Sequence, residues 1–114
     1  MELVALHATG FGRPSQAAWT EIFADGQPLR IARWPNDSTV MIGKIQESGM
    51  AKEGKEAPFP VFGYQEERPS SWKSVENMWI SGYFAHGYAD DMICVESIDT
   101  IHKMIHTGQH TVYG

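Results

Sequence analysis

Residues 75–99, VENMWISGYFAHGYADDMICVESID, have the densest apolar and aromatic content in the chain. In the first half of this stretch, successive residues alternate between two faces, as they do on a β-strand. One face carries Met78, Ile80, Gly82 and Phe84, and the other carries Trp79, Ser81 and Tyr83. Residues 92–97 alternate in the same way, and AHGYADD between the halves is typical of a connecting loop. The stretch predicts a long hairpin against which shorter strands must pair.

The overall composition is that of a folded domain made of short strands. The chain has 114 residues, of which 42% are hydrophobic and 20% charged, so globular folding is expected rather than disorder. Its 11 Gly and 6 Pro are spread along the chain, which favours many strands separated by turns. We therefore predict an all-β fold, a β-sandwich of about eight mostly antiparallel strands, as one module over residues 1–114.

Charge and hydropathy limit the possible partners. The formal net charge of −5 argues against nucleic acid and anionic membranes, since both require basic patches. No segment approaches the length of a membrane span. The single cysteine, Cys94, cannot form an internal disulfide and lies between apolar residues, which favours a buried small side chain. We expect no nucleic acid, no membrane and no cofactor.

Weaker strand patterns precede the hairpin. Residues 9–18, TGFGRPSQAA, predict a loop because they contain two glycines and a proline. Residues 29–34 alternate and would form the return strand after a turn at Asp25-Gly26. Residues 39–46 alternate with Gly43 as a bulge or twist point.

Other segments give shorter elements. Residues 59–64 predict a short edge strand, and a single helical turn is expected near residues 70–73. Terminal strands are expected at residues 2–8 and 110–113.

Four motifs together resemble a known family. They are DGQPLRIARWPND, ERPSSW, MWISGYFAHGYADDMICVESID and a closing YG. The combination resembles the β-sandwich insertion domain of family 141 glycoside hydrolases and related right-handed parallel β-helix proteins. The matching positions, within residues 20–114, are Gly26, Pro28, Leu29, Ala32 to Asn36, Trp79, Gly82, Tyr83, Ala89, Asp90, Ile98 and Asp99. Tyr88 stands where the family usually has Trp, which keeps an aromatic ring.

The resemblance implies an accessory role. In that family, carboxylates on the β-helix cleave the glycosidic bond, outside the insertion. This chain would then be an excised module of an extracellular or periplasmic enzyme that degrades plant-type polysaccharides. Its partners would be the parent β-helix domain and, in addition, polysaccharide. The chain alone would carry no catalytic residue. The alternative is a carbohydrate-binding module that stacks sugars on exposed aromatic rings.

Arg33, Trp34 and Asn36 form one candidate constellation. An arginine beside a tryptophan could offer a sugar a stacking face and hydrogen-bond donors. In the structural alternative, Arg33 pairs with a carboxylate, Asp90 or Asp99, while Trp34 fills the core and Asn36 caps a turn. We favour the structural interpretation, because a corner of this kind must be held in place.

Aromatic side chains near the hairpin loop form a second constellation. Tyr83, His86 and Tyr88 could be displayed by the loop as stacking platforms for sugar rings, with Trp34 as a further ring. Aromatic residues are also used in cores and interdomain contacts, and Trp79 is assigned to such a structural role. We favour core or docking roles over glycan binding.

Two further patterns would support catalysis but are weaker. A glycosidase needs two carboxylates roughly 5–9.5 Å apart across a sugar, whereas the adjacent Asp90 and Asp91 would point to opposite faces of a strand. His102, His106 and His110 recur every four residues and on a helix would form a zinc site. Their β-branched neighbours favour strands instead, where the three side chains lie apart. We expect neither a catalytic pair nor a metal site.

Overall fold

The computed structural model describes residues 7–10, 13–17, 21–50, 54–84, 86–88 and 90–111, with side chains from residue 21 onward. These residues form nine β-strands and one 3₁₀ helix, Arg68–Ser71. The strands are β1 His7–Gly10, β2 Arg13–Ala17, β3 Phe23–Ala24, β4 Gln27–Pro28, β5 Ile45–Glu47, β6 Val61–Gly63, β7 Trp79–Tyr83, β8 Asp90–Asp99 and β9 Met104–Thr107. Every described strand pair is antiparallel. The predicted fold class, an all-β chain of small β-sandwich type, is confirmed.

The chain divides into two compact units, Met1–Thr39 and Val40–Gly114. In the first unit, β1 pairs with β2 and β3 pairs with β4, giving two separate ribbons. In the second unit, five strands form one sheet in the order β5-β6-β9-β8-β7. The assignment of residues 1–114 to one module stays a prediction.

The predicted hairpin is the β7–β8 pair of the second unit. Its register runs from Trp79↔Cys94 to Tyr83↔Asp90 without a shift. Residues of β7 alternate between exposed and half-buried, as the sequence predicts. In β8 the first residues alternate likewise, and the Ile93 side chain is fully buried. The hairpin therefore has one inner and one outer face.

The core of the second unit joins β6, β8 and β9. Its buried hydrophobic members are Phe62, Tyr64, Ile93, Val95 and Ile105. Around them pack the half-buried residues Ile42, Val75, Met78, Ile80, Phe84 and Ile98. Cross-strand neighbours such as Phe62↔Ile105 and Ile80↔Ile93 belong to this cluster, and such pairs stabilise a sheet. Each fully buried side chain of this size contributes about 1.5–3 kcal/mol.

Gly43, predicted as a bulge or twist point, lies just before β5 and contacts the backbone of Gly63 closely. The Gly43 amide donates to the carbonyl of Gly63 at 2.6 Å, and the Gly63 amide donates to the carbonyl of Lys44 at 2.9 Å. The register shift of the β5–β6 pair lies between Ile45 and Glu47, so a bulge at Gly43 itself stays a prediction. A Cβ atom at Gly43 would lie 2.9 Å from the carbonyl carbon and oxygen of Gly63. Glycine is required here because the two backbones approach so closely.

Two predictions for the first unit are wrong. Residues 13–17, predicted as loop, form β2, in which proline is tolerated because a two-stranded ribbon leaves half of its amides outside the ladder. Residues 29–34, predicted as a return strand, form none. The hairpin is tighter than expected because Asp25 and Gly26 have φ angles of 51° and 73°. Positive φ at both positions closes a two-residue loop, which brings β4 directly opposite β3.

Other boundaries are corrected in the second unit. Residues 59–64 contain β6, but the edge prediction is wrong, because β6 lies between β5 and β9. The predicted helical turn occurs slightly earlier, as the 3₁₀ helix Arg68–Ser71. Most of the predicted strand at 2–8 lies outside the described residues, as do residues 112–113 of the last one. Residues 110–111 form no strand.

Replacing Gly43 by Ala is expected to lower the free energy of unfolding by about 1–3 kcal/mol, since the methyl group would overlap backbone rather than a movable side chain. Chemical denaturation of the purified protein measures this loss. Gly87→Ala is the control, because a Cβ at Gly87 meets no atom within 4 Å. Equal stability of the two variants would contradict the close approach between the backbones of Gly43 and Gly63.

Candidate functional site

The outer face of the β7–β8 hairpin presents aromatic rings to solvent. Trp79 and Tyr83 lie on the same face of β7, four residues and therefore roughly 13 Å apart along the strand. The exposed fraction is 43% for Trp79 and 65% for Tyr83. Because β-strand side chains alternate, the register that buries Ile93 also directs these rings outward. We call Trp79, Tyr83, His86 and Tyr88 the aromatic surface.

The hairpin loop adds a stacked pair to this surface. The rings of His86 and Tyr88 have centroids 5.4 Å apart and planes 8° from parallel. Tyr88 is 83% exposed, so the outer face of its ring is accessible. The structure thus brings together two of the predicted sugar-stacking residues, at the loop that follows Tyr83. Trp34, also predicted, is half-buried in the first unit.

A carboxylate lies at the base of the same loop. Asp90 is exposed and directly opposite Tyr83 in the ladder, and opposed residues project to the same face with Cβ atoms about 4.5–5.5 Å apart. Asp91 is buried on the other face. The prediction that these two carboxylates face opposite sides is confirmed. This combination suits a sugar, because the aromatic ring can contact the apolar C–H face of the sugar and the carboxylate can accept hydrogen bonds from its hydroxyl groups.

Arg33 holds the corner that contains Trp34. Its Nε donates to the carbonyl of Pro35 and its Nη2 donates to the carbonyl of Ser38, both at 2.9 Å. The guanidinium therefore stabilises its own loop through main-chain acceptors. Pairing of Arg33 with Asp90 or Asp99 stays a prediction. Asn36 is exposed and lines a depression of about 790 Å³ that is open to solvent, whereas ligand sites of similar volume bury most of the ligand.

Asp99 closes the turn between β8 and β9. One carboxylate oxygen accepts hydrogen bonds from the amides of Ile101 at 2.9 Å and His102 at 3.0 Å. The other oxygen lies 2.7 Å from Nδ1 of His102. The His102 amide first, and its ring second, lower the pKa of Asp99 from 3.8 to about 2. The sequence predicted a structural role for Asp99 but not these donors. The loop from β8 to β9 has four residues, which places the donors within reach of the Asp99 carboxylate.

The three predicted histidines have separate environments. His102 lies in the turn beside Asp99, and His106 is a half-buried residue of β9. His110 is exposed and contacts Phe59 edge-on, with ring centroids 4.8 Å apart. Among the residues that the structure describes, no group of three or more His, Cys, Asp or Glu side chains could hold a metal ion. The structure therefore does not bring these imidazoles together.

Exposed apolar residues near β5 were missed by the sequence analysis. Met41 and Met50 are 82% and 68% exposed, and Ile45 is also exposed. The strand pattern does not predict which of these side chains are exposed, because VMI in residues 40–42 places apolar side chains on both faces of an extended chain. An apolar residue on the outer face of a strand has the same sequence signature as one in the core.

Comparison with known proteins leaves the site to be judged from its geometry. No family model, curated protein or solved structure matches the chain. Helices long and apolar enough to cross a membrane are not found in the described segments. The aromatic surface is therefore the candidate site with the clearest physical basis, because its rings are exposed on one strand and the loop that follows it and are accompanied by a carboxylate.

The low pKa of Asp99 predicts an acid-dependent loss of stability. Because the folded-state pKa is depressed from 3.8 to about 2, the contribution of the ionised carboxylate is fully present above pH 4 and disappears as the pH falls toward 2. Asp99→Asn imitates the protonated form. We expect the wild-type advantage over Asp99→Asn in unfolding free energy to shrink across this window. Denaturation at a series of pH values measures it, and a constant difference would refute the assignment.

Proposed function

We propose that the chain is a non-catalytic accessory module of a polysaccharide-degrading glycoside hydrolase. The observation that carries this proposal is the excess of exposed over buried apolar side chains. Among the described residues, five hydrophobic side chains form the buried core, whereas thirteen large hydrophobic side chains are exposed. Single exposed apolar residues are normal, but surfaces rich in them are typical of interaction sites. A module that docks on a larger parent would have such a surface.

The proposed parent is inferred from the motifs of the chain. The stretches DGQPLRIARWPND and MWISGYFAHGYADD resemble insertions in β-helix glycoside hydrolases, in which the catalytic carboxylates belong to the β-helix. The geometry of β8 agrees with a non-catalytic role, because Asp90 and Asp91 lie on opposite faces and cannot flank one glycosidic bond together. The parent would act outside the cytoplasm, in the periplasm or the extracellular space, on plant-type polysaccharides.

Methionine oxidation tests whether a parent covers this module. Met41 and Met50 are 82% and 68% exposed, so peroxide should convert both rapidly to sulfoxides in the isolated chain. In the full gene product we expect at least one of them to be protected. Met78 and Met92, which are half-buried, serve as internal controls that react slowly in both forms. Peptide mass spectrometry measures each rate.

Equal oxidation of Met41 and Met50 in both forms would contradict docking at the surface near β5. The coding sequence on either side provides a second check, because a β-helix parent requires strand-rich repeats with inward-stacking residues. A gene product without such repeats would overturn the proposed parent.

A second candidate function, carbohydrate binding, is favoured by the aromatic surface. The stacked rings of His86 and Tyr88, together with the exposed ring of Tyr83, form flat apolar faces that match the C–H face of a pyranose. Asp90 opposite Tyr83 can accept hydrogen bonds from sugar hydroxyl groups. The distance along β7 between Trp79 and Tyr83 allows contact with more than one sugar unit.

Titration with plant cell-wall oligosaccharides tests this candidate. If the surface binds glycan, the amide resonances of Tyr83 and Tyr88 shift at sub-millimolar sugar, and Tyr88→Ala weakens binding by about tenfold, because a covered ring contributes on the order of 1.4 kcal/mol. Phe59→Ala is the control, since Phe59 is also an exposed aromatic residue, at 44%, but contacts His110 away from the hairpin. Spectra that stay unchanged at the highest sugar concentration would contradict carbohydrate binding and would leave the accessory role as a structural one.

A further inference from the structure

Among the described strands, β7 is a sheet edge whose own sequence lacks the features that usually protect one. Of the strands that the structure describes, it is the outermost of the five-stranded sheet, and it pairs with β8 along one side. Natural edge strands are normally protected by charged residues, proline, bulges or a covering element. The β7 sequence WISGY has no charge and no proline, and its pairing with β8 contains no register shift. Such a strand is a template for further pairing.

The ladder shows which backbone groups point outward. The Val95 amide donates to the carbonyl of Met78 at 2.9 Å. In an antiparallel ladder, hydrogen-bonded positions recur at every second residue, so Ile80 and Gly82 also direct their amide and carbonyl groups toward β8. Ser81 and Tyr83 direct theirs away from β8. No described strand pairs with this side of β7, and both residues are exposed.

We propose that β7 pairs antiparallel with β7 of a second copy of this chain, which gives a two-fold symmetric dimer with a continuous sheet. The symmetric register places Ser81 opposite Ser81 of the second copy. Tyr83 then lies opposite Trp79 of the second copy on the outer face, and aromatic pairs of this kind stabilise a sheet. On the inner face, Ile80 lies opposite Gly82, so the side chain meets no bulky neighbour.

The two ends of β7 complement each other in an antiparallel pair of copies, which favours a second copy as the partner. The chain carries a net charge of −5, which opposes most approaches of two copies, but residues 78–84 are uncharged. The antiparallel arrangement also brings the Glu76 end of each β7 beside the His86 end of the other, so an acidic residue approaches an imidazole. An isologous interface of this kind closes after two copies and leaves no unpaired β7.

The dimer has a consequence for the outer face. Two aromatic surfaces would lie side by side on one four-stranded ribbon, β8-β7-β7-β8. The pairing itself depends on backbone groups and not on sugar binding, so it holds whether or not the surface recognises a glycan.

Self-association and its dependence on Ser81 test the proposal. Sedimentation velocity over a range of concentrations should show a monomer–dimer equilibrium for the wild type. Ser81→Lys should be monomeric where the wild type is dimeric, because two like charges would face each other on the symmetry axis. Ser97→Lys is the matched control, since Ser97 is an exposed serine of β8 in the same sheet, and it should dimerise as the wild type does. Circular dichroism checks that both variants keep the fold.

Amide hydrogen exchange distinguishes this interface from any other. The amides of Ile80 and Gly82, which face β8, should be protected at all concentrations. The amides of Ser81 and Tyr83 should exchange quickly in dilute protein and become protected as the dimer forms. A protein that is monomeric at every concentration, a dimer whose Ser81 and Tyr83 amides still exchange quickly, or a Ser81→Lys variant that dimerises normally would each overturn the proposal.

Discussion

The second unit depends on the hydrogen-bonded ladder of β8, which pairs on one side with β7 and on the other with β9. The pairing is staggered. The first half of β8, from Asp90 to Cys94, faces β7, and the second half, from Val95 onward, faces β9. Because side chains alternate with a period of two, a slip of one residue would exchange the buried and exposed sets. The burial of Ile93 and Val95 therefore fixes the register for three strands at once.

That register also determines what the unit can recognise. The register that buries Ile93 on the inner face directs Tyr83 and Trp79 to the outer face, where Asp90 lies opposite Tyr83. Core and candidate site are thus two sides of the same ladder, which provides a rigid support for the exposed rings. Binding surfaces placed on strands hold their geometry better than those on loops. The loop rings of His86 and Tyr88 extend this platform.

Much of the second unit follows from local sequence patterns, and the exceptions have physical causes. Alternation from Met78 to Ser97 predicted the hairpin, because this signal lies within one segment of the chain. The position of β6 inside the sheet was missed, since it depends on pairing with residues far away in sequence. The turn at Asp25-Gly26 is where the sequence predicts it, but the return strand starts at Gln27 and not at Leu29, because positive φ at both turn residues closes a two-residue loop. Exposure of Met41 could not be predicted, because apolar residues on either face of a strand give the same pattern.

The stagger of β8 has a dynamic consequence at the hairpin tip. Between Met92 and Cys94, the side of β8 opposite to β7 accepts two hydrogen bonds from described residues: the Gly108 amide donates to the carbonyl of Cys94, and the side-chain amide of Gln109 donates to the carbonyl of Met92. This support is sparser than a full strand, so the loop end opens at a lower free energy than the sheet centre. A ligand that orders the hairpin tip must offset the loss of conformational entropy there. Its affinity would therefore change with substitutions at Gln109 even if Gln109 does not contact the ligand.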